Sequence, residues 1–167
     1  LPFIIIILFI YTNDSYLFYF ACGMIISQIL TSNIKYLFTL IELYVIKYNK
    51  VDIPIIGRFI RPSGANNCGS FYKSPDNIAT SSGMPSGHSI LAGFTSIYLY
   101  YYLIDKYKIK KQYHDILLIT CLLFTIYTMY TRVLFNCHTI QQTIIGAILG
   151  MIYGHYYYFL INKLLIN

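Results

Sequence analysis

The 167 residues are 57% apolar and 11% charged, against about 25% charged in a typical soluble domain, so too little charge is present to coat a water-facing surface. The apolar residues run continuously rather than alternating, which excludes a membrane β-barrel and leaves helices of about 20 apolar residues that satisfy their own backbone inside a bilayer. The net charge of +6 fits loops facing anionic headgroups and calls for no nucleic acid partner.

The first apolar run, Leu1–Tyr11, is too short to cross alone; it reads as a cut-down first helix or the remains of a signal. A polar break at residues 12–15 follows, in which Asp14 or Ser15 would cap the next helix. The second run starts at Tyr16 and stays apolar to about Lys47, longer than one span, with Asn33, Lys35 and Glu42 inside it. Such a helix either tilts and projects or lays its last turns along the interface, and Lys35 could snorkel. Residues 48–87 then hold four of the five Pro and five of the ten Gly. This is the one long polar loop, and loops of that length in compact domains are usually functional or disordered. The third run is His88–Ile104, followed by a basic turn with Lys106, Lys108, Lys110 and Lys111; the fourth is Ile116 to about Phe135 and the fifth about Thr139–Ile161. Gly146, Gly150 and Gly154 recur every four residues and are expected to form a packing stripe. The expected architecture is one all-α domain over residues 1–167, a polytopic transmembrane bundle of about five to six helices with its active site at one membrane face.

Counting spans sets the faces. The second run ends at the long loop, the third begins there, and the fourth returns to it before the fifth leaves. The long loop and residues 131–142 must therefore meet on one side of the membrane. That side collects Arg61-Pro62, Gly83-Met84-Pro85-Ser86-Gly87-His88, Arg132, His138 and Gln142. Two guanidiniums offer planar forks for phosphate oxygens. Ser86 and Gly87 precede a helix start, where open N–H groups and the helix dipole attract anions. Histidine serves as nucleophile or as acid. Arg132 and His138 lie six residues apart and would point to different sides of a continuous helix, so a break near Asn136-Cys137 is expected. His138 and Gln142, four apart, share a face, and the amide oxygen could accept the Nδ1–H and leave Nε2 to attack. Cys68 and Cys137 fall near this face and could pair if it meets an oxidising compartment; Cys22 and Cys121 read as packing residues. No His/Cys/Asp/Glu set has metal-ligand spacing, so no metal and no cofactor are expected.

The set Arg61-Pro62, Pro85-Ser86-Gly87-His88 and Arg132…His138 resembles the three-part signature of the type 2 phosphatidic acid phosphatase superfamily, over about residues 47–154. The resemblance implies a helical bundle and a metal-independent lipid phosphate or diphosphate phosphatase. His138 would form a phosphohistidine, and His88 would protonate the leaving oxygen. Arg61, Arg132, Ser86 and Gly87 would hold the phosphate. Two positions depart from the pattern. The usual Lys seven residues before the Arg is Pro54 here, with Lys47, or else Lys50, as the replacement; and Gln142 stands where an Asp is usual. The run Arg132-Val133 to His138-Thr139 with Gln142, and Gly83-Met84-Pro85-Ser86, are similar to the dolichyl-diphosphatase branch, and an endoplasmic reticulum-like or other internal membrane is expected in a eukaryotic host. Expected partners are the lipid substrate and membrane lipids. A catalytically inactive relative that binds lipid phosphate or scaffolds membrane proteins is the main alternative. A proton-coupled transporter is weaker, because its charges should lie at mid-bilayer. The bland readings are headgroup anchors for Arg61 and Arg132, a helix cap for His88 and a packed or interfacial ring for His138; His114 and His155 are expected outside the site.

Overall fold

The computed structural model describes residues 2–49, 61–68 and 82–166, and these contain five α-helices and no strand. Helix α1 spans Pro2–Thr12 and α2 spans Ser15–Asn49. Between them Asn13 takes a left-handed φ of 53°, a conformation that Asn tolerates. Asp14 then caps α2, its Oδ1 accepting the Tyr16 N–H at 3.0 Å. Helix α3 is Gly87–Tyr107, α4 is His114–Leu134 after a single 3-10 turn at Lys111–Tyr113, and α5 is Ile140–Ile166. The polar residues Asn33, Lys35 and Glu42 do not interrupt α2. At 1.5 Å per residue that helix runs about 50 Å, so it must tilt or project beyond a hydrocarbon core of about 30 Å.

Among the described residues, three segments are long and apolar enough to cross a membrane: Ser15–Ile41, Lys111–Leu134 and Ile140–Ile166. Helix α3 is less apolar because it carries Tyr98, Tyr100, Tyr101 and Tyr102. It is nonetheless the centre of the bundle, packed on α2, α4 and α5. Phe94 and Tyr98 are fully buried in a core with Phe20, Ala21 and Met24 of α2 and Tyr158 of α5. A buried phenol needs an acceptor, and the bundle supplies main-chain ones. Tyr98 donates to Tyr16 O at 2.8 Å, Tyr157 to Tyr19 O at 2.8 Å and Tyr153 to Gly23 O at 3.2 Å. These three tyrosines thus stitch α3 and α5 to α2. Ser96 adds a contact to α4, with its Oγ 2.7 Å from Thr125 Oγ1. The outer side of α4 leaves Ile116, Ile119, Leu123, Ile126 and Tyr127 exposed, as a lipid-facing helix should.

The glycine stripe of α5 packs on α3 with a four-residue register on both helices. A Cβ at Gly146 would sit 2.6 Å from Ser86 O, one at Gly150 2.0 Å from Ile90 O and one at Gly154 2.9 Å from Phe94 O. Backbones this close tolerate no side chain. The packing role expected of the stripe is the observed one, and its first rung fixes Ser86, at the start of α3, against the first turn of α5.

Candidate active site

Four segments converge at one end of the bundle: residues 61–68, residues 82–88, the α4–α5 connection and the middle of α2. The α4–α5 connection breaks as the Arg132–His138 spacing requires. Asn136 adopts φ 52°, and the N–H groups of Cys137 and His138 turn back to Arg132 O at 2.9 and 3.3 Å. His138 therefore precedes α5 instead of opening it, and its ring is buried, 4% exposed.

Gln142, fully buried one turn into α5, holds that ring. Its Oε1 lies 3.1 Å from His138 Nδ1 and also accepts the Thr139 N–H at 3.2 Å. The second donor identifies the atom as the amide oxygen, so Nδ1 carries the proton and Nε2 the lone pair. Arg61 completes the group, its Nη1 donating to Cys137 O at 2.7 Å and lying 3.4 Å from His138 Nε2. Burial, and then the Arg61 charge, push the imidazole pKa down to about 3, against hydrogen bonds from Gln142 and the Gly83 backbone that favour protonation. The ring is neutral at physiological pH. Burial also lowers the pKa of Arg61.

Arg61 is held in place through its own segment. Gly64, at φ 66°, sits in the turn that Ala65 N closes on Pro62 O at 3.1 Å, a conformation suited to Gly. Asn66 then bonds the α4–α5 connection twice, N to Asn136 O at 3.2 Å and Nδ2 to Phe135 O at 2.9 Å. Cys68 and Cys137 form a disulfide, with Cα atoms 6.0 Å apart. The residue before the buried histidine is thus covalently tied to the Arg61 segment.

On the α3 side, the Ser86 N–H donates to Gln142 O at 3.1 Å. This corrects one expectation: the Ser86 amide is engaged by α5, and the open N–H groups at this end are those of the first turn, from Gly87 on. Among the described residues, the Ser86 and Ser89 hydroxyls and Arg132 Nε are buried with no hydrogen-bond partner. Such groups cost about 1–3 kcal/mol each when left unmet, and the Ser86 hydroxyl and Arg132 Nε are suited to an incoming anion. His88, half-buried in the first turn of α3, is close enough to feel the charges of Arg132, Lys35 and Arg61. Lys47 belongs to α2, but its side chain lies outside the described residues, as do Lys50 and Pro54.

Two contributors were not singled out in the sequence as parts of the site. Gly83 lies against the Gln142 amide, where a Cβ would come 2.5 Å from Nε2 and 2.8 Å from Oε1. Lys35, expected to snorkel from α2, interacts electrostatically with Arg61, His88 and His138. Its signal in the sequence was a lone cation inside an apolar run. His114 and His155 stand outside the site, bonded to Ile109 O at 3.0 Å and to Tyr101 OH at 2.9 Å.

The PAP2 superfamily model matches residues 16–165. The chain belongs to the PAP2 superfamily. Its members are phosphatases, and the match covers nearly all of α2 to α5 and every site residue described above. No curated protein and no solved structure matches the chain. In PAP2 terms, the site is a cationic cradle around a neutral, oriented imidazole, carried by a membrane bundle.

Proposed function

We propose that this PAP2 protein hydrolyses lipid phosphates or diphosphates at the membrane surface through a phosphohistidine on His138. The observation that carries the reading is the pinned ring: Gln142 fixes the Nδ1 proton, and Nε2 keeps its lone pair beside Arg61. A bound phosphate would draw the Arg61 fork and Arg132 onto its oxygens and leave Nε2 facing phosphorus. The Nε2–P bond forms as the P–O bond to the lipid, or to the lipid phosphate, breaks. His88, which burial and the nearby cations keep neutral in the empty site, takes up a proton beside the bound anion, gives it to the departing oxygen and later takes one from the water that cleaves the phosphohistidine, which restores both rings. This donor set is cationic, so it attracts an anion and repels a metal ion. Turnover is therefore expected without a metal.

The substrate class is phosphatidic acid or a polyprenyl or dolichyl diphosphate. Gln142 and Gly83-Met84-Pro85-Ser86 favour the diphosphate branch. The Cys68–Cys137 disulfide supports an active face open to an oxidising compartment. The lysines of the opposite turn, Lys106, Lys108, Lys110 and Lys111, then fall on the cytoplasmic side, in keeping with positive-inside topology. In a eukaryotic host that arrangement suits an internal membrane such as the endoplasmic reticulum.

The deciding experiment is phosphate release from purified phosphatidic acid and polyprenyl diphosphate in detergent with excess chelator. Release should persist; loss on chelation, restored by a divalent ion, would overturn the mechanism. One observation favours a second reading. Gln142 is neutral and stabilises an imidazolium less than a carboxylate would, which suits an inactive relative that binds lipid phosphate. That reading gains if the protein binds lipid phosphate but traps no phosphohistidine.

A further inference from the structure

Lys35 sits inside a membrane-crossing segment, Ser15–Ile41. An ammonium at such depth is retained only where it has a partner or a use. The side of α2 that faces α3 can be followed from buried Phe20 and Met24 to Ser27 and Thr31. At Thr31 the two helices nearly touch, since a Cβ on Gly87 would lie 3.2 Å from Thr31 Cγ2. Lys35 is the next residue on that side, one turn nearer the active end and so just past the start of α3, level with the segment that leads into it. It is half-buried there and interacts electrostatically with Arg61, His88 and His138. All of these are cationic or neutral. Among the described residues Lys35 has no carboxylate partner, and the one ion pair they contain, Lys106 with Asp14, is at the opposite end of the bundle. Lys35 and Arg61 thus bring two positive charges to the end of the bundle where, among the described residues, Ser86 Oγ and Arg132 Nε are buried without a hydrogen-bond partner, an arrangement suited to an anion.

We propose that Lys35 is a phosphate ligand of this site, a third full positive charge supplied from α2 beside Arg61 and Arg132. The proposal rests on the phosphatase reading and extends it. The third charge suits a monoester dianion or a diphosphate better than a singly charged phosphodiester. An ammonium adds a point charge that can follow the transferring group, where the two guanidinium forks fix its orientation.

The test uses Lys35→Met, Lys35→Arg and, as a control for loss of one charge elsewhere, Lys163→Met at the exposed far end of α5. Two readouts are taken on the full chain in detergent. The first is kcat/KM on a lipid phosphate. Lys35→Met should lower it about 10- to 100-fold, the range that one charge-assisted hydrogen bond covers, with Lys35→Arg recovering part of the loss and Lys163→Met unchanged. The second is the rise in unfolding temperature on adding inorganic phosphate, which needs no turnover. Wild type should show the rise and Lys35→Met should lose most of it, while its phosphate-free unfolding temperature stays equal or increases, because a buried charge has gone. A wild type that is stabilised by phosphate yet turns nothing over would refute the phosphatase reading and leave the ligand assignment standing. An active wild type whose Lys35→Met variant keeps both kcat/KM and the phosphate-dependent rise would overturn the assignment alone. Equal losses in Lys35→Met and Lys163→Met would also overturn it, as a general effect of surface charge.

Discussion

Replacing Gln142 by Glu tests the nucleophile and its partner together. The two side chains have the same length, so a carboxylate oxygen would take the place of Oε1, 3.1 Å from His138 Nδ1 and 3.2 Å from the Thr139 N–H. Position 142 is fully buried, and an unpaired carboxylate there would be costly. Here it meets two donors already aimed at it, and Arg61 on the far side of the ring. An opposite charge at such range lifts a pKa by about 1 to 3, equivalent to about 1.4–4 kcal/mol of preference for imidazolium. The His138 pKa is pushed down to about 3, so in the variant it should fall at about 4–6. The sign follows directly: the nucleophile must be neutral, and a raised pKa removes the neutral form at higher pH. The acidic limb of the pH–kcat/KM profile should therefore move upward by about the same amount. At pH 8 kcat should be retained or rise, because the carboxylate stabilises positive charge developing on the ring. The assay is a pH–rate series on a soluble short-chain lipid phosphate, with His138→Ala as the inactive reference. An acidic limb that does not move, in a folded and active Glu variant, would refute the partnership. Turnover by His138→Ala would refute the nucleophile.

Other perturbations act on what holds the ring. Gly83→Ala places a methyl group 2.5 Å from the Gln142 amide. The amide must swing and take His138 with it, so kcat/KM should fall by about 100-fold, as misplacement by about 1 Å can cause; circular dichroism should show the helices intact, and full activity would contradict the packing account. Gly150→Ala gains up to about 1 kcal/mol of helix propensity, but its methyl would lie 2.0 Å from Ile90 O. The clash is with backbone, which cannot step aside, so overpacking of about 1–3 kcal/mol decides the sign and the unfolding temperature in detergent should drop. Cys68→Ser opens a link that closes 69 residues, which chain-entropy reasoning values at up to about 4 kcal/mol. It also frees the Arg61 segment, so both thermal stability and activity should fall, and a thiol reductant should reproduce the loss in wild type but not in the variant.

The fold was legible because lipid imposes it. Long apolar runs have one helical solution, and span counting placed Arg61, His88, Arg132 and His138 at one end without any contact information. The Arg132–His138 spacing announced the break that Asn136 makes, and the four-residue step to Gln142 announced its reach to Nδ1. What escaped was lateral. Nothing in the local sequence around Lys35 says which side of α2 faces α3, because that helix is apolar nearly all round and has no polar face to contrast with a buried one. Gly83 stood in a motif, yet its clearance for the Gln142 amide exists only once α5 has docked. The logic of helix N-termini that drew attention to Ser86 and Gly87 is blind to a carbonyl arriving from another helix, as Gln142 O does at the Ser86 N–H.

That last contact alters how the site has to work. With its N–H bonded to Gln142 O, Ser86 joins the first turns of α3 and α5, and Gly146, by admitting Ser86 O, lets the same two turns close up. The main chain of Gln142 thus holds the first turn of α3 while its side chain holds the ring of His138, the nucleophile of the proposed mechanism. A phosphate between them would meet the N–H groups from Gly87 on, the Ser86 hydroxyl and the Arg132 guanidinium on the α3–α4 side, and His138 Nε2 on the other. The distance between cradle and nucleophile is then set by one residue of α5 and one disulfide-anchored turn, both fixed before substrate arrives. Under the proposed mechanism Arg61, whose Nη1 lies between Cys137 O and His138 Nε2, is the group whose contacts would change on phosphate binding. The site is accordingly preorganised in its backbone and adjustable in its guanidinium. Electrostatic stabilisation of the transferring group can then accompany the chemistry without any movement of the bundle.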